Sequence, residues 1–170
     1  MWKRVIGFFA PICIVAPLLI LACSDARDST KFAGNAAQGG LAEVEMGRLA
    51  TQRAGDASVR EFGARMVSDH SAANTELKGI ASKKGMQLPS DVNSSQKSEI
   101  DTLSKMSGAE FDKEYMSAMV KDHQEDVKEF ETQSKDGNDA DIKAFAAKTL
   151  PTLREHLRMA QAAAQKVGAK

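Results

Sequence analysis

Apolar residues recur every three or four positions through most of the chain, which is the period of helices that bury one face. One such stripe is Val59, Phe62, Met66, His70, Ala73, Leu77, Ile80, and a second is Tyr115/Met116, Met119, Val120, His123, Val127, Phe130. A third is Ile142, Phe145, Thr149, Leu153, His156, Ala160. Ahead of them, Lys31 to Ala54 is helical in composition but carries Gly34, Gly39, Gly40 and Gly47. A glycine inside a helix costs about 1 kcal/mol relative to alanine, so this segment predicts close approach to a neighbouring helix, or a break at Gly39-Gly40. No run alternates apolar and polar residues with the β-branched and aromatic content of a strand.

Punctuation bounds these segments. Gly55 stops the first helix; the second opens at Asp56, or at the capping box Ser58-x-x-Glu61, and stops at Gly85. After a polar stretch around Pro89 to Ser95, a short amphipathic helix is expected from about Gln96 to Met106. A second capping box, Ser107-x-x-Glu110, starts the third long helix, which ends at Gly137, and Asn138 or Asp139 caps the fourth. Pro151 predicts a kink ahead of His156. Two tight hairpins joined by one long connection predict an all-α, ferritin-like four-helix bundle over residues 31–170, with a long crossover carrying a short extra helix. The stretch Asp56 to Arg65 repeats in pattern at Asp139 to Lys148, which pairs helix two with helix four.

The N-terminus has a different character. Lys3 and Arg4 precede an apolar run from Val5 to Leu21 that proline interrupts twice, too short and broken for a membrane span. It ends in Ile20-Leu21-Ala22-Cys23, which resembles a bacterial lipobox. That resemblance implies a lipoprotein signal peptide over residues 1–22, acylation of Cys23 with palmitate-type chains, and a lipidated tether over residues 23–30. Ser24, in place of an aspartate after the cysteine, implies the periplasmic face of the outer membrane. The membrane is then a partner through the lipid anchor.

Cysteine and charge counts narrow the chemistry. The chain has 2 cysteines; with Cys13 in the signal and Cys23 acylated, the domain has no thiol for a disulfide, a zinc cluster or a nucleophile. Basic and acidic residues number 23 each, so loss of Lys3 and Arg4 leaves the mature chain near −2. No basic face for nucleic acid is expected.

Several motifs occur in order along the domain: Leu41-Ala42-Glu43-Val44-Glu45-Met46-Gly47; Met66 to His70 with Asn74 and Glu76-Leu77; and Phe111-Asp112 before Tyr115. His123 with Phe130-Glu131, and Leu150-Pro151-Thr152-Leu153 before His156-Leu157, complete the set. Together they resemble the bacterial family called domain of unknown function 4142. The resemblance implies an exported ferritin-like helical bundle and no established activity.

All 3 histidines lie on apolar stripes. At 1.5 Å per residue, Glu43, His70 and His123 each stand about 12 to 14 residues from their hairpin turns and can share one level. His156, about 19 residues past its turn, is expected roughly 7 Å off that level unless the Pro151 kink corrects it. Glu43, His70, His123 and His156 are therefore the candidate metal ligands, for iron, copper or zinc. Glu-x-x-His, the di-iron signature of ferritin-like bundles, is absent, because Val67, Val120 and Leu153 stand three residues before the histidines. That argues for binding over redox catalysis. Asp69, Asp122 and Glu155, directly before each histidine, lie about 100° round the helix and read as solvated flank charges. Met66, Met119 and Met159 share faces with the histidines, which suits copper; methionine is equally a filler of helical cores. The alternative is a structural or interaction module of the envelope in which the histidines only pack.

Overall fold

The computed structural model describes the backbone of residues 18–169 and, from residue 28, the side chains. The positively charged start, most of the apolar run and the Cys23 side chain lie outside the described residues. Among the described residues five helices follow in order: α1 (Leu18–Arg53), α2 (Ala57–Lys84), α3 (Ser94–Leu103), α4 (Gly108–Asp136) and α5 (Ala140–Val167). Four of them form an all-helical bundle, and α3 sits on the crossover between the two hairpins. In the bundle α1 packs against α2 and α4, and α5 packs against α4 and α2, while α3 lies on α1 and α4. Among the described residues no helix is long and apolar enough to cross a membrane.

The helix starts follow from their side chains. Asp56 caps α2 by accepting the Ser58 backbone N–H at 2.8 Å. Asp139 caps α5 by accepting the N–H groups of Asp141 and Ile142, both at 3.1 Å. The repeated pattern at Asp56 and Asp139 is thus the start of the second helix in each hairpin. Asn93 and Gln96 form a reciprocal capping box on α3. The expected box at Ser107 does not form: Ser107 holds the N-cap position of α4 but its side chain makes no capping hydrogen bond. Instead Asp112, one turn in, turns its carboxylate outward from the helix and accepts the backbone N–H groups of Gly55 at 3.0 Å and Asp56 at 2.9 Å. The first hairpin turn is thereby fixed to the start of α4.

Helix α1 begins upstream of Lys31, with Ser29 already buried, and is continuous through Gly39-Gly40. The close-approach reading of its glycines holds at Gly47. A Cβ there would lie 2.7 Å from the Gly63 carbonyl oxygen, and one on Gly63 would lie 2.5 Å from the Ala50 Cβ. Only two glycines let α1 and α2 meet this closely. Gly85 ends α2 in the left-handed conformation (φ 66°), whereas Gly137 ends α4, as expected, with extended backbone (φ −61°, ψ 131°).

The apolar interior is in two parts. One cluster is built around Met46, Phe62, Met66, Phe111, Tyr115, Met116 and Met119. The other is built around Phe32, Leu77, Phe130, Ile142, Phe145 and Leu153. The division falls at His70, His123 and His156 in α2, α4 and α5, and in α1 between Ala37 and Ala42, next to Glu43.

Candidate metal centre

Each of the four bundle helices contributes one residue to this polar layer, and all four side chains are buried: Glu43 is 2% exposed, His70 7%, His123 0% and His156 1%. The imidazole ring centres lie 5.7 Å apart for His70 and His123, 5.3 Å for His70 and His156, and 5.4 Å for His123 and His156. One ring nitrogen from each histidine lies within 4.8 Å of the other two.

His156 is therefore level with the others, and the offset of roughly 7 Å expected of a straight α5 is absent. Two effects remove the offset. Helix α5 starts at Ala140, so the turn residues Gly137 to Asp139 do not count toward its rise. Side chains also tilt toward the N-terminus of their own helix; in antiparallel α4 and α5 this brings His123 and His156 toward each other.

In each histidine one nitrogen is committed to an acceptor. His70 Nδ1–H donates to Glu43 Oε2 at 2.7 Å, His123 Nδ1–H to the Met119 carbonyl at 2.9 Å, and His156 Nε2–H to Asp69 Oδ2 at 2.9 Å. The remaining nitrogens, His70 Nε2, His123 Nε2 and His156 Nδ1, are buried without a hydrogen-bond partner. Glu43 Oε1 is buried and unpartnered as well, 3.4 Å from His123 Nε2. With the His123 proton on Nδ1, facing the Met119 carbonyl, these last two atoms meet as acceptors with no hydrogen bond between them.

The electrostatics agree with a centre that wants positive charge. Burial works against ionisation of Glu43, but His70 and His123 outweigh it and hold the carboxyl below its ordinary range. Burial likewise disfavours charge on His70, yet Glu43 overcomes it and raises its pKa. His123 and His156 are lowered by burial and by their neighbouring imidazoles, His156 to about 4. A metal ion bound by the free imidazole nitrogens competes with protons for them.

Three residues outside the sequence-based ligand set belong to this site. Asp69, read as a solvated flank charge, orients His156 and is itself held by Arg65. The 100° turn that takes it off the interior aims it at the neighbouring helix α5. Asp126 stands one turn beyond His123 on the same face of α4; burial and Glu43 push its pKa well above the carboxylate range. The spacing His123-x-x-Asp126 was the signal for it, running opposite to the Glu-x-x-His order. Asp122 is raised to about 7 by burial, with Glu99 and Glu43 adding to it.

The comparisons with known proteins bear on the fold. The family model for a domain of unknown function, DUF4142, matches residues 22–163, and the chain belongs to that family. A crystal structure of a DUF305 fragment from Deinococcus radiodurans is similar, with a TM-score of 0.72, 12% identity, and 82% of this chain and 96% of that chain covered. So is that of a DUF305 protein from Streptomyces coelicolor, assigned as secreted, with a TM-score of 0.72, 16% identity, and coverage of 84% and 94%. At these identities the likeness is one of fold. No curated protein matches the chain.

Proposed function

We propose that this DUF4142 protein binds a first-row transition-metal ion between His70, His123 and His156, with Glu43 Oε1 as an adjoining ligand. The observation that carries the reading is the pattern of nitrogen commitment. Three buried imidazoles each give one nitrogen to an acceptor and keep the other unpartnered, and one ring nitrogen of each lies within 4.8 Å of the other two. Histidine ligands of metals are held in this way, the outer acceptor fixing ring orientation and raising basicity. Packing alone would leave four buried polar atoms unsatisfied, each costing about 1 to 3 kcal/mol. Tetrahedral coordination at about 2.05 Å puts ligand nitrogens about 3.3 Å apart, so side-chain shifts of about 1 Å close the present separation.

Imidazole and carboxylate together suit zinc, iron or divalent copper. Met66 and Met119 are members of the apolar core cluster. Binding in place of catalysis follows from the enclosure of the layer and from the lack of Glu-x-x-His. The compartment is the cell envelope: the lipobox ending in Cys23 supplies a lipid anchor and Ser24 directs it to the outer membrane, with the domain on the periplasmic face.

Elemental analysis of protein purified from its native envelope without a histidine tag tests the centre. About one ion per chain supports it, and a metal-free chain that also fails to take up Zn²⁺, Fe²⁺ or Cu²⁺ in equilibrium dialysis refutes it. Replacing Cys23 by serine tests the anchor separately: membrane association and fatty-acid labelling should both be lost, and labelling that persists would sink the lipoprotein assignment.

A further inference from the structure

A cleft of about 330 Å³ opens between α1, α3 and α4, and nearly all its titratable side chains are carboxyl groups, with burial holding Asp122 and Asp126 above the ordinary carboxylate range. Glu43, Glu99, Asp122, Glu125, Asp126 and Glu129 line it, against one cation, Lys121. A solvated acidic face is a common feature of helices, but this one ends on Glu43, whose Oε1 is buried, unpartnered and 3.4 Å from the free nitrogen of His123. On the inner side a second cavity, about 20 Å³ and so large enough for one water or ion, is lined by Glu43, His70 and Asp126. The cleft and the inner cavity share three residues: Gly39, Glu43 and Asp126.

Gly39 stands at this shared wall. It is inside α1, away from any turn, and a Cβ built on it would meet nothing within 4 Å. Close packing, which explains Gly47, therefore does not explain Gly39. A side chain there would enter open space at the wall that the two cavities share.

We propose that the acidic cleft is the entry path by which a hydrated divalent cation reaches the histidine centre, passing Gly39 and handed inward by Asp126 and Glu43. The path rests on the metal-binding reading and adds the class of ion it delivers. Carboxylate oxygens attract and partly dehydrate hard divalent ions, while Cu(I), which prefers thiolate and thioether donors, gains nothing from such a route. The concentration of one sign of charge in a low-dielectric groove speeds capture of the opposite charge, in a way that salt suppresses.

The test uses the full chain in detergent, Co²⁺ as the probe, and stopped-flow absorbance to follow the d–d bands of the bound ion. Gly39→Leu fills the junction with a better helix former, so thermal stability should hold or rise while loading slows by about tenfold or more and the final stoichiometry stays the same. The double variant Glu99→Gln/Glu125→Gln, at the cleft and away from the ligands, should slow loading by a smaller factor and flatten its dependence on ionic strength. Unchanged loading rates in both variants, with the centre filling normally, overturn the entry path and leave the metal centre standing. A wild-type chain that takes up no Co²⁺ at equilibrium overturns the centre and the path together.

Discussion

His156 on α5 donates its Nε2–H to Asp69 on α2, across 2.9 Å, and so turns its other nitrogen into the bundle interior. Arg65 holds the carboxylate in place from the same helix. Replacing Asp69 with alanine leaves His156 free to rotate, and loss of such an outer partner costs about 10- to 100-fold in metal affinity. Asp69→Asn keeps an acceptor oxygen and should lie nearer to wild type. The measurement is competition for Zn²⁺ against a chromogenic chelator, with circular dichroism confirming that both variants fold. Equal affinity in Asp69→Ala and wild type would show that His156 needs no orientation by Asp69.

The apolar stripes placed three of the four long helices, composition placed the first, and the caps at Asp56 and Asp139 marked the starts of two of them to within a residue. Glu43, His70 and His123 could be put at one level because a helix rises by a fixed amount. His156 could not, since its depth depends on where α5 starts and on the tilt of side chains in antiparallel neighbours. Asp69 and Asp126 escaped for a related reason. Helical position says which way a residue points from its own axis, but not which other helix stands there. Asp112 is the clearest case: nothing local marks it as the acceptor for a turn more than fifty residues earlier.

Asp112 supplies the second prediction. Its carboxylate accepts two backbone N–H groups from the α1–α2 turn. Asp112→Ala strands both donors in a partly buried turn, and the expected loss is about 2 kcal/mol. Asp112→Asn retains one acceptor oxygen and should lose about half as much. Urea titration at neutral pH measures both, with metal removed so that binding does not mask the change.

Asp139 ties the end of α2 to the start of α5, since it caps α5 and also accepts from Lys84 at 2.8 Å. Burial opposes its ionisation, but Lys84 and the capping N–H groups prevail and hold its pKa below the ordinary value of 3.8. A depressed carboxyl pKa means the unfolded chain binds the proton first as pH falls. The stabilisation is therefore complete above about pH 4 and fades as pH drops through the folded-state pKa. Asp139→Asn keeps the cap and loses only the charge. The stability gap between wild type and this variant should be widest at neutral pH and shrink toward pH 2.5. Asp139→Ala should lose about 1 kcal/mol at neutral pH through the cap itself. Denaturant melts at pH 7, 4 and 2.5 read out the series, and a gap that widens on acidification contradicts the assignment.

His70 and His123 should respond in opposite ways to the same replacement, because their outer partners differ. His70 shields Glu43, a carboxylate held in its charged form inside the bundle. His70→Leu leaves that charge without its counter-ion, and breaking a buried pair from one side costs about 3 to 5 kcal/mol. His123 leans only on the carbonyl of Met119, one turn back in its own helix, which serves the helical ladder in any case. His123→Leu leaves Glu43 its direct partner His70, removes one unsatisfied nitrogen, and relieves the acceptor contact with Glu43 Oε1, which offset the lost support of His123 for the carboxylate. In metal-free protein it should be neutral or stabilising, within about 1 kcal/mol of wild type. Both variants should fail to hold the ion, so metal content falls in each while apo stability falls in only one. Elemental analysis after dialysis, paired with urea melts in the presence of a chelator, separates the two quantities. If His123→Leu binds metal as wild type does, the convergence of nitrogens on this point is not a binding site. If it instead destabilises the apo chain as much as His70→Leu, the layer is a structural polar network.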